Sequence, residues 1–459
     1  MLQITNGNSL TEKALGKQKI KNAVYRPFLY SQKYTVDDGM LLYNFLTGDL
    51  VFLDKKETLL YNNVNSDEAS ELRMQLIENW FLVTEDNDDV KLSEQVFSFM
   101  RIVSDMIKNP PITSYTIFTT TDCNARCFYC FELSARRVPM SAKTAEDVAD
   151  YIIKKCAGNK VTIRWFGGEP LYNSQAIDII CEKLSDANVE FASSMVSNGY
   201  LFGDENVKKA KEKWNVGRVQ ITLDGTEEVY NRIKAFIYKD GTSAFKRVIG
   251  NIEKLLKNDI YVTVRMNIDN HNIDDMYALV DYLAEKFIGF DKFRCYAHLL
   301  FEDSTKLIKS RTDAERHLLQ ERFTALEKYI EAKGFYIERS TLGMVRYKQC
   351  MADNNASTTI LPDGNLGKCE HYTEDHFWGS IYSDEVNDEV LAEFKELLDE
   401  HEECKTCKLK PMCFQLKGCP DLSQRCDEYD RKTKLRYTGE RVLTEYKYYL
   451  AKKENYNET

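Results

Sequence analysis

The chain lacks any run of about 18 apolar residues that could cross a bilayer, and its opening stretch, MLQITNGNSLTEKALGKQ, has no apolar core of the secretory kind. A cytoplasmic protein without a membrane partner is expected. A basic stripe is missing too. With 62 Lys and Arg against 72 Asp and Glu, the formal net charge is -10, whereas nucleic-acid binders gather cations on one surface, so no nucleic-acid partner is expected. There is no internal repeat or low-complexity tract, and 43% hydrophobic with 29% charged residues excludes a disordered or fibrous class.

What is present, in 459 residues with room for two or three cores, is cysteine: thirteen in all. In a reducing compartment clustered cysteines read as metal ligands rather than disulfides, and ten of these cluster. The other three read as core. Cys156 continues the helical face of Val148 and Ile152, Cys181 sits with Ile177, Ile180 and Leu184, and Cys295 lies in the apolar strand FRCYAHLLF.

From Ser114 to about Gly334 short apolar strands alternate with amphipathic helices. The strands are expected at 114–118, 161–166, 191–196, 218–223, 261–268 and 292–300, and one intervening helix carries Phe245, Val248, Ile249, Ile252 and Leu256 on one face. A last helix near 313–333 stops at Gly334, suited to a left-handed cap. Six such units imply an α/β fold with a parallel sheet curled into a partial (β/α)6 barrel. Before it, LLYNFLTGDLVFLD reads as a hairpin around Thr47 and Gly48, Asp54 and Glu57 as a capping box, Ser66 as the cap of a helix carrying Leu72 and Leu76, and residues 80–83 as a third strand. A helix with Val96, Phe99, Met100 and Val103 then leads to Pro110 and Pro111. This small α+β module either covers the barrel or docks a peptide. Beyond residue 340 periodicity is weak until an exposed helix near Arg441, so metal is expected to order the segment. The expected domains are 1–108, 109–338 and 339–459.

TDCNARCFYC follows the first barrel strand, and the C-terminal ends of barrel strands carry active sites. Thiolates at this spacing select zinc or iron-sulfur clusters, and three without a fourth favour a cluster with one open iron. Cys123, Cys127 and Cys130, with Tyr129 as the aromatic, resemble the signature of radical S-adenosylmethionine (SAM) enzymes. WFGGEPL resembles that family's GGE motif, which implies Gly167, Gly168 and Glu169 in the SAM site; SNGYLF resembles its TNG turn, which implies Asn198. ITLDG resembles its SLDG motif, with Thr222 in the place of the serine that meets the ribose. Where relatives have H-N-x-x-R this chain has Tyr230, Asn231 and Lys234, so Lys234 would meet the SAM carboxylate as a point charge without arginine's fork. Arg265 and Asn267 end a strand facing the site and are either cofactor contacts or rim residues. The resemblance implies that one electron from the cluster cleaves SAM and that the resulting radical removes hydrogen from an unactivated C-H bond.

Cys350, Gly364-x4-Cys369, Cys404-x2-Cys407-x5-Cys413, Cys419 and Cys426 resemble the SPASM domain, which implies two auxiliary 4Fe-4S clusters and three in all. A zinc ribbon is the alternative for Cys404, Cys407, Cys413 and one partner. The resemblance gives Cys404, Cys407, Cys413 and Cys426 to a complete distal cluster, and leaves Cys350, Cys369 and Cys419 one ligand short, with an iron open to substrate. Cys413-x5-Cys419 is longer than the family spacing. Glu370 stands where sulfatase-maturing relatives carry an acidic catalytic base, and is either that base or a surface carboxylate.

The N-terminal module resembles, in pattern, a winged-helix-like element that binds the leader of a ribosomally made precursor peptide by strand addition. The expected function is therefore a peptide maturase that installs a crosslink, foremost a cysteine thioether, served by flavodoxin or ferredoxin. Carbon-carbon crosslinking and formylglycine formation are the alternatives within the class; a non-enzymatic metal scaffold is the alternative outside it.

Overall fold

The computed structural model describes the chain except for residues 8, 107–109, 134, 239–240, 301–310, 336–349, 397–401, 414–415, 421–425 and 458–459. The N-terminal region runs β1 (Leu2–Thr5), α1 (Ser9–Leu15), β2 (Tyr25–Pro27), β3 (Ser31–Val36), β4 (Gly39–Asn44), β5 (Leu50–Asp54), α2 (Lys55–Asn62), α3 (Ser70–Glu78), β6 (Leu82–Thr84) and α4 (Asp89–Asp105). The hairpin forms as expected: β4 pairs with β5, and Gly48 takes φ +83° in the turn that joins them. Asp54 and Glu57 close a reciprocal capping box on α2.

One expectation, the helix cap at Ser66, needs correction, and the strands divide between two sheets. The expected third strand, at 80–83, is β6; it pairs with β2 in a separate two-stranded sheet, because the chain turns away from the hairpin after α3. The hairpin's own sheet is four-stranded, in the order β1-β5-β4-β3, so β1 and β3 are its edges. Ser66 precedes a 3-10 turn without a side-chain cap bond, and α3 starts only at Ser70.

The barrel strands are β7 (Ser114–Phe118), β8 (Val161–Phe166), β9 (Phe191–Ser197), β10 (Val216–Thr222), β11 (Tyr261–Ile268) and β12 (Phe293–Leu299). They interleave with α5 (Ala142–Cys156), α6 (Ser174–Asp186), α7 (Asp204–Glu212), α8 (Glu227–Lys234), α9 (Ala244–Lys257) and α10 (Asp275–Phe287); α11 (Asp313–Ala332) follows and ends before Gly334 at φ +88°. All six strands pair in parallel and in sequence order. Alternate residues, among them Ile163, Trp165, Val219, Ile221, Val262 and Val264, are buried against the helices. Cys156, Cys181 and Cys295 lie in that same core. The partners of those alternate residues face the concave side, which stays open because six strands do not close.

The segment beyond 340 is more regular than expected. β13 (Ser357–Ile360) adds to the barrel sheet in parallel beside β7, and β14 (Asn365–Gly367) and β15 (Gly379–Ser380) continue it antiparallel. After α12 (Asp388–Glu393), the last helix is α13 (Glu428–Asn457), which starts well before Arg441. Nor is it simply exposed: Val442 is fully buried with Leu41, Tyr43 and Phe45 of the N-terminal module, and Tyr446 stacks on Phe52. Among the described residues no helix is long and apolar enough to cross a membrane. The expected domain boundaries at 108 and 338 lie outside the described residues.

Candidate active site

The loop between β7 and α5 carries Cys123, Cys127 and Cys130 at the C-terminal rim of the barrel. It is pinned from both sides. The Thr121 hydroxyl donates to the Arg136 carbonyl at 2.6 Å, and Met140 N–H to Thr119 at 2.9 Å. The following rim loop docks on it through Gly168 N–H to Thr120 and Glu169 N–H to Asp122, both 3.0 Å. Only glycine fits there: a Cβ on Gly167, at φ +119°, would lie 2.2 Å from the Thr120 oxygen, and one on Gly168 2.2 Å from that of Asp122.

The three thiols face one another closely enough to interact. Burial pushes Cys123 up, and Glu169, Cys127 and Cys130 push it further; Cys130 is raised to about 12, mainly by burial, with Glu132 and Cys127 adding to it. Burial likewise raises Cys127, against the pull of Lys234. As thiols they are strained toward neutrality; a bound cation would release this by taking them as thiolates. Ala125 N–H at 3.3 Å and the Asn198 amide at 3.7 Å already point at Cys123 Sγ. This donor set, three soft ligands with short-range N–H support, fits a 4Fe-4S cluster with one open iron.

Beneath the thiols lies a buried polar network. Lys234 Nζ reaches Asp224 at 2.7 Å, Thr222 Oγ1 at 2.7 Å and Tyr129 Oη at 2.8 Å, with only 2% of its side chain exposed and none of Asp224's. Tyr129 donates to Asp224, and the Asn267 amide donates to Tyr129 at 3.2 Å. Burial alone would lower Lys234; Asp224 and Cys127 carry it above its ordinary value. Glu169 is wholly buried and pushed up to about 7, although Asn198 N–H, Leu171 N–H and the Ser197 hydroxyl donate to it. The structure thus gathers Tyr129, Gly167, Gly168, Glu169, Asn198, Thr222, Lys234 and Asn267 around the thiols. Arg265 stands apart, on the concave side, bonded to His298 at 3.0 Å.

The pattern reading passed over Asp224. It is the aspartate of ITLDG and the group that holds Lys234, and its signal was a carboxylate ten residues before that lysine. Asn124, which takes the Asn198 amide at 2.7 Å, was also missed.

The C-terminal cysteines form two further groups. Cys404, Cys407, Cys413 and Cys426 are near enough that, after burial, their mutual charge raises Cys407 and Cys413. Burial is also the first cause that raises Cys350 and Cys369, with Glu370 and Cys419 among the charges that add to it. This second group faces the first across a contact between loops: the Phe131 and His371 rings lie 4.5 Å apart, and Arg136 N–H donates to Glu374 at 2.8 Å.

A family model described as the radical SAM superfamily matches residues 117–283. The chain carries a radical SAM domain there. Such a domain implies SAM and a 4Fe-4S cluster at the rim. Among its relatives is a GTP 3',8-cyclase of Clostridium perfringens, 26% identical over 64% of this chain and 92% of the relative. The sporulation killing factor maturation protein SkfB of Bacillus subtilis is 24% identical over 64% of this chain and 68% of its own. Native anSMEcpe, solved with bound AdoMet and Cp18Cys peptide, aligns at TM-score 0.56 and 19% identity over 72% of this radical SAM chain and 98% of its own. Streptococcus suis SuiB bound to precursor peptide SuiA aligns at 0.51 and 15% over 85% and 95%. These two likenesses show the fold.

Proposed function

We propose that this radical SAM enzyme is a peptide maturase that removes hydrogen from a ribosomally made precursor and installs a crosslink between a cysteine sulfur and a carbon. One observation carries the reading: Cys350, Cys369 and Cys419, a second three-thiol group, face the rim group across the Phe131–His371 contact. In this reading Cys123, Cys127 and Cys130 hold the SAM-binding cluster, Cys404, Cys407, Cys413 and Cys426 a complete auxiliary one, and Cys350, Cys369 and Cys419 an auxiliary one with a corner left for the substrate thiol. The cluster and SAM supply an organic radical when bound. The chain's own residues do the rest. Gly167 and Gly168 leave backbone room for the SAM amino group, and Glu169 holds the rim loop to Asn198. Tyr129, Thr222, Asn267 and the Lys234–Asp224 pair form a dry, fixed floor for the nucleoside, and the β3 edge offers the leader a strand to join. The peptide-bound structures of anSMEcpe and SuiB support a peptide substrate, and the wider alignment with SuiB supports a leader-binding module. A flavodoxin or ferredoxin as donor and a cytoplasmic location belong to the same reading.

The test is co-expression with the short open reading frame beside this gene, followed by mass spectrometry. Loss of two hydrogens, with the cysteine thiol no longer alkylatable, is expected; equal turnover of a precursor lacking cysteine would overturn the thioether. The position of Glu370 beside the second group favours a second reading, formylglycine formation with Glu370 as base. Formylglycine appearing in the Cp18Cys peptide would decide for that reading.

A further inference from the structure

The four-stranded N-terminal sheet has two edges, and they differ. β1 is bulged between Gln3 and Thr5, and the Gln3 amide donates to the Thr5 carbonyl at 2.6 Å, so a further strand finds no regular ladder there. β3 is regular. The Phe45 N–H donates to the Tyr30 carbonyl at 2.7 Å, which fixes the phase of the β3–β4 ladder: Gln32, Tyr34 and Val36 turn their backbone groups to β4, and Ser31, Lys33 and Thr35 turn theirs outward. Ser31 is already occupied, its N–H on the Phe28 carbonyl at 3.0 Å and its own carbonyl on the Lys408 ammonium at 3.3 Å. The Lys33 carbonyl takes only the Gln32 amide, at 3.3 Å. The open part of the edge is therefore Lys33 and Thr35, both exposed.

Lys408 comes from the far end of the chain. It follows Cys407 in the four-thiol loop, where Leu409 is buried with Phe28, Tyr30, Leu41 and Tyr43, and this packing delivers the ammonium to the edge. There it also donates to Gln32 Oε1 at 3.1 Å; burial, and then the charge of Lys33, lower it from its ordinary pKa. Both partners of Lys408 are neutral, and among the described residues no carboxylate lies within 4.0 Å of either lysine. An edge lysine is a common guard against unwanted pairing, and Lys33 alone would fit that role. A second lysine brought onto the same end of the edge from a distant loop does not, because two neighbouring like charges repel until an anion joins them.

We propose that the edge of β3 seats an extended peptide segment with an Asp or Glu placed between Lys33 and Lys408. The assignment rests on the peptide-maturase reading and deepens it, giving the leader an acidic strand and a register: its backbone pairs with Lys33 and Thr35, and Lys408 stops the pairing at Ser31. The two ammoniums meet the carboxylate as point charges, so an acid is preferred over its amide. A second copy of this chain fits the edge less well, since joining β3 to β3 would crowd four lysines together.

The experiment selects displayed random peptides of about ten residues, the length of a long strand, on the anaerobically purified full chain. Peptides with one invariant Asp or Glu are expected, and in fluorescence anisotropy the best of them should bind about tenfold tighter than its amide twin, the size of one charge-assisted hydrogen bond. Lys33→Gln with Lys408→Gln should bring the twins level. Lys33→Gln alone, on an exposed side chain, should cut the difference to about threefold, and Lys208→Gln with Lys211→Gln on α7 should change nothing. Thr35→Pro removes an outward N–H and leaves the ladder to β4 whole, so it should abolish binding of both twins with the melting temperature unchanged. Selected peptides without a fixed acid, a preference that survives Lys33→Gln with Lys408→Gln, binding that survives Thr35→Pro, or a dimer of the chain that Thr35→Pro dissolves would each overturn the assignment. If acidic peptides bind at this edge and no precursor is ever modified, the maturase reading falls and this one stands. If a precursor is crosslinked equally well after each Asp and Glu of its leader is exchanged for Asn and Gln, the reverse holds.

Discussion

At the barrel rim, the three thiols ride on a loop fastened to a large continuous core, with glycines that admit no substitute and backbone bonds of about 3 Å to the neighbouring loop. In the C-terminal segment the cysteines hang from turns, 3-10 pieces and strands of two to four residues; around Cys369 and Cys419 the fully buried apolar core among the described residues is Ala352, Phe394 and Leu416. The difference teaches where the folding energy comes from. On the proposed reading, one site is prepared before its cofactor arrives, and the other would need metal to hold its own shape.

The sharpest way to break this contrast is to remove one thiol from each. Cys127→Ala is expected to lower 5'-deoxyadenosine formation by at least about a thousandfold, since the open-iron cluster would lose a ligand. If Cys407 holds a distal auxiliary cluster, as proposed, Cys407→Ala should keep that reaction within about tenfold while abolishing peptide modification, because such a cluster would lie off the SAM chemistry. Equal losses would erase the distinction. Lys234→Met probes the preparation itself. It leaves the buried Asp224 without its counter-ion, held only by the Tyr129 hydroxyl and the Asn267 N–H, at a cost of roughly 3–5 kcal/mol in thermal or denaturant unfolding; adding Asp224→Asn should recover most of it. Iron chelation addresses the other half: limited proteolysis should then open sites between residues 350 and 427 and spare the fragment from β7 to β12.

A smaller effect comes with pH. Burial, with Arg265, lowers His298 from 6.5 to about 4. A depressed base contributes stability that is fully present above pH 6.5 and lost as pH falls toward 4, because the unfolded chain then binds the proton that the folded chain refuses. That is roughly 3 kcal/mol across the window at most. In apo-protein, His298→Gln should flatten the fall in melting temperature between pH 7 and 5; an unchanged slope would mean that the imidazole is not held neutral.

How far all this could be read in advance depended on the kind of signal. The six barrel strands and the stripe on α9 were legible because a sheet buried under helices imposes strict alternation on residues such as Ile163, Trp165, Val262 and Val264. β13 was not, since its Ser357, Thr358 and Thr359 are polar and yet buried, and nothing in their composition says that a strand waits for them beside β7. The cysteines and glycines of the site announce themselves as motifs. The Lys234–Asp224 pair does not, because it depends on where the end of α8 returns over the end of β10, a matter of tertiary packing. α13 began earlier than expected because its apolar residues are sparse among charges and serve a module from the opposite end of the chain.

That helix also makes the two ends of the polypeptide mechanically one part. Tyr437 bonds Thr324 and Glu327 of α11 at 2.7 and 3.0 Å, while a few turns later Tyr446 lies on Phe52, so α13 works as a splint between barrel and N-terminal sheet. Shortening the chain from its C-terminus should therefore show up first as a defect at its beginning, and a leader gripped at the N-terminal sheet would be presented to the barrel at an angle that residues near 440 set.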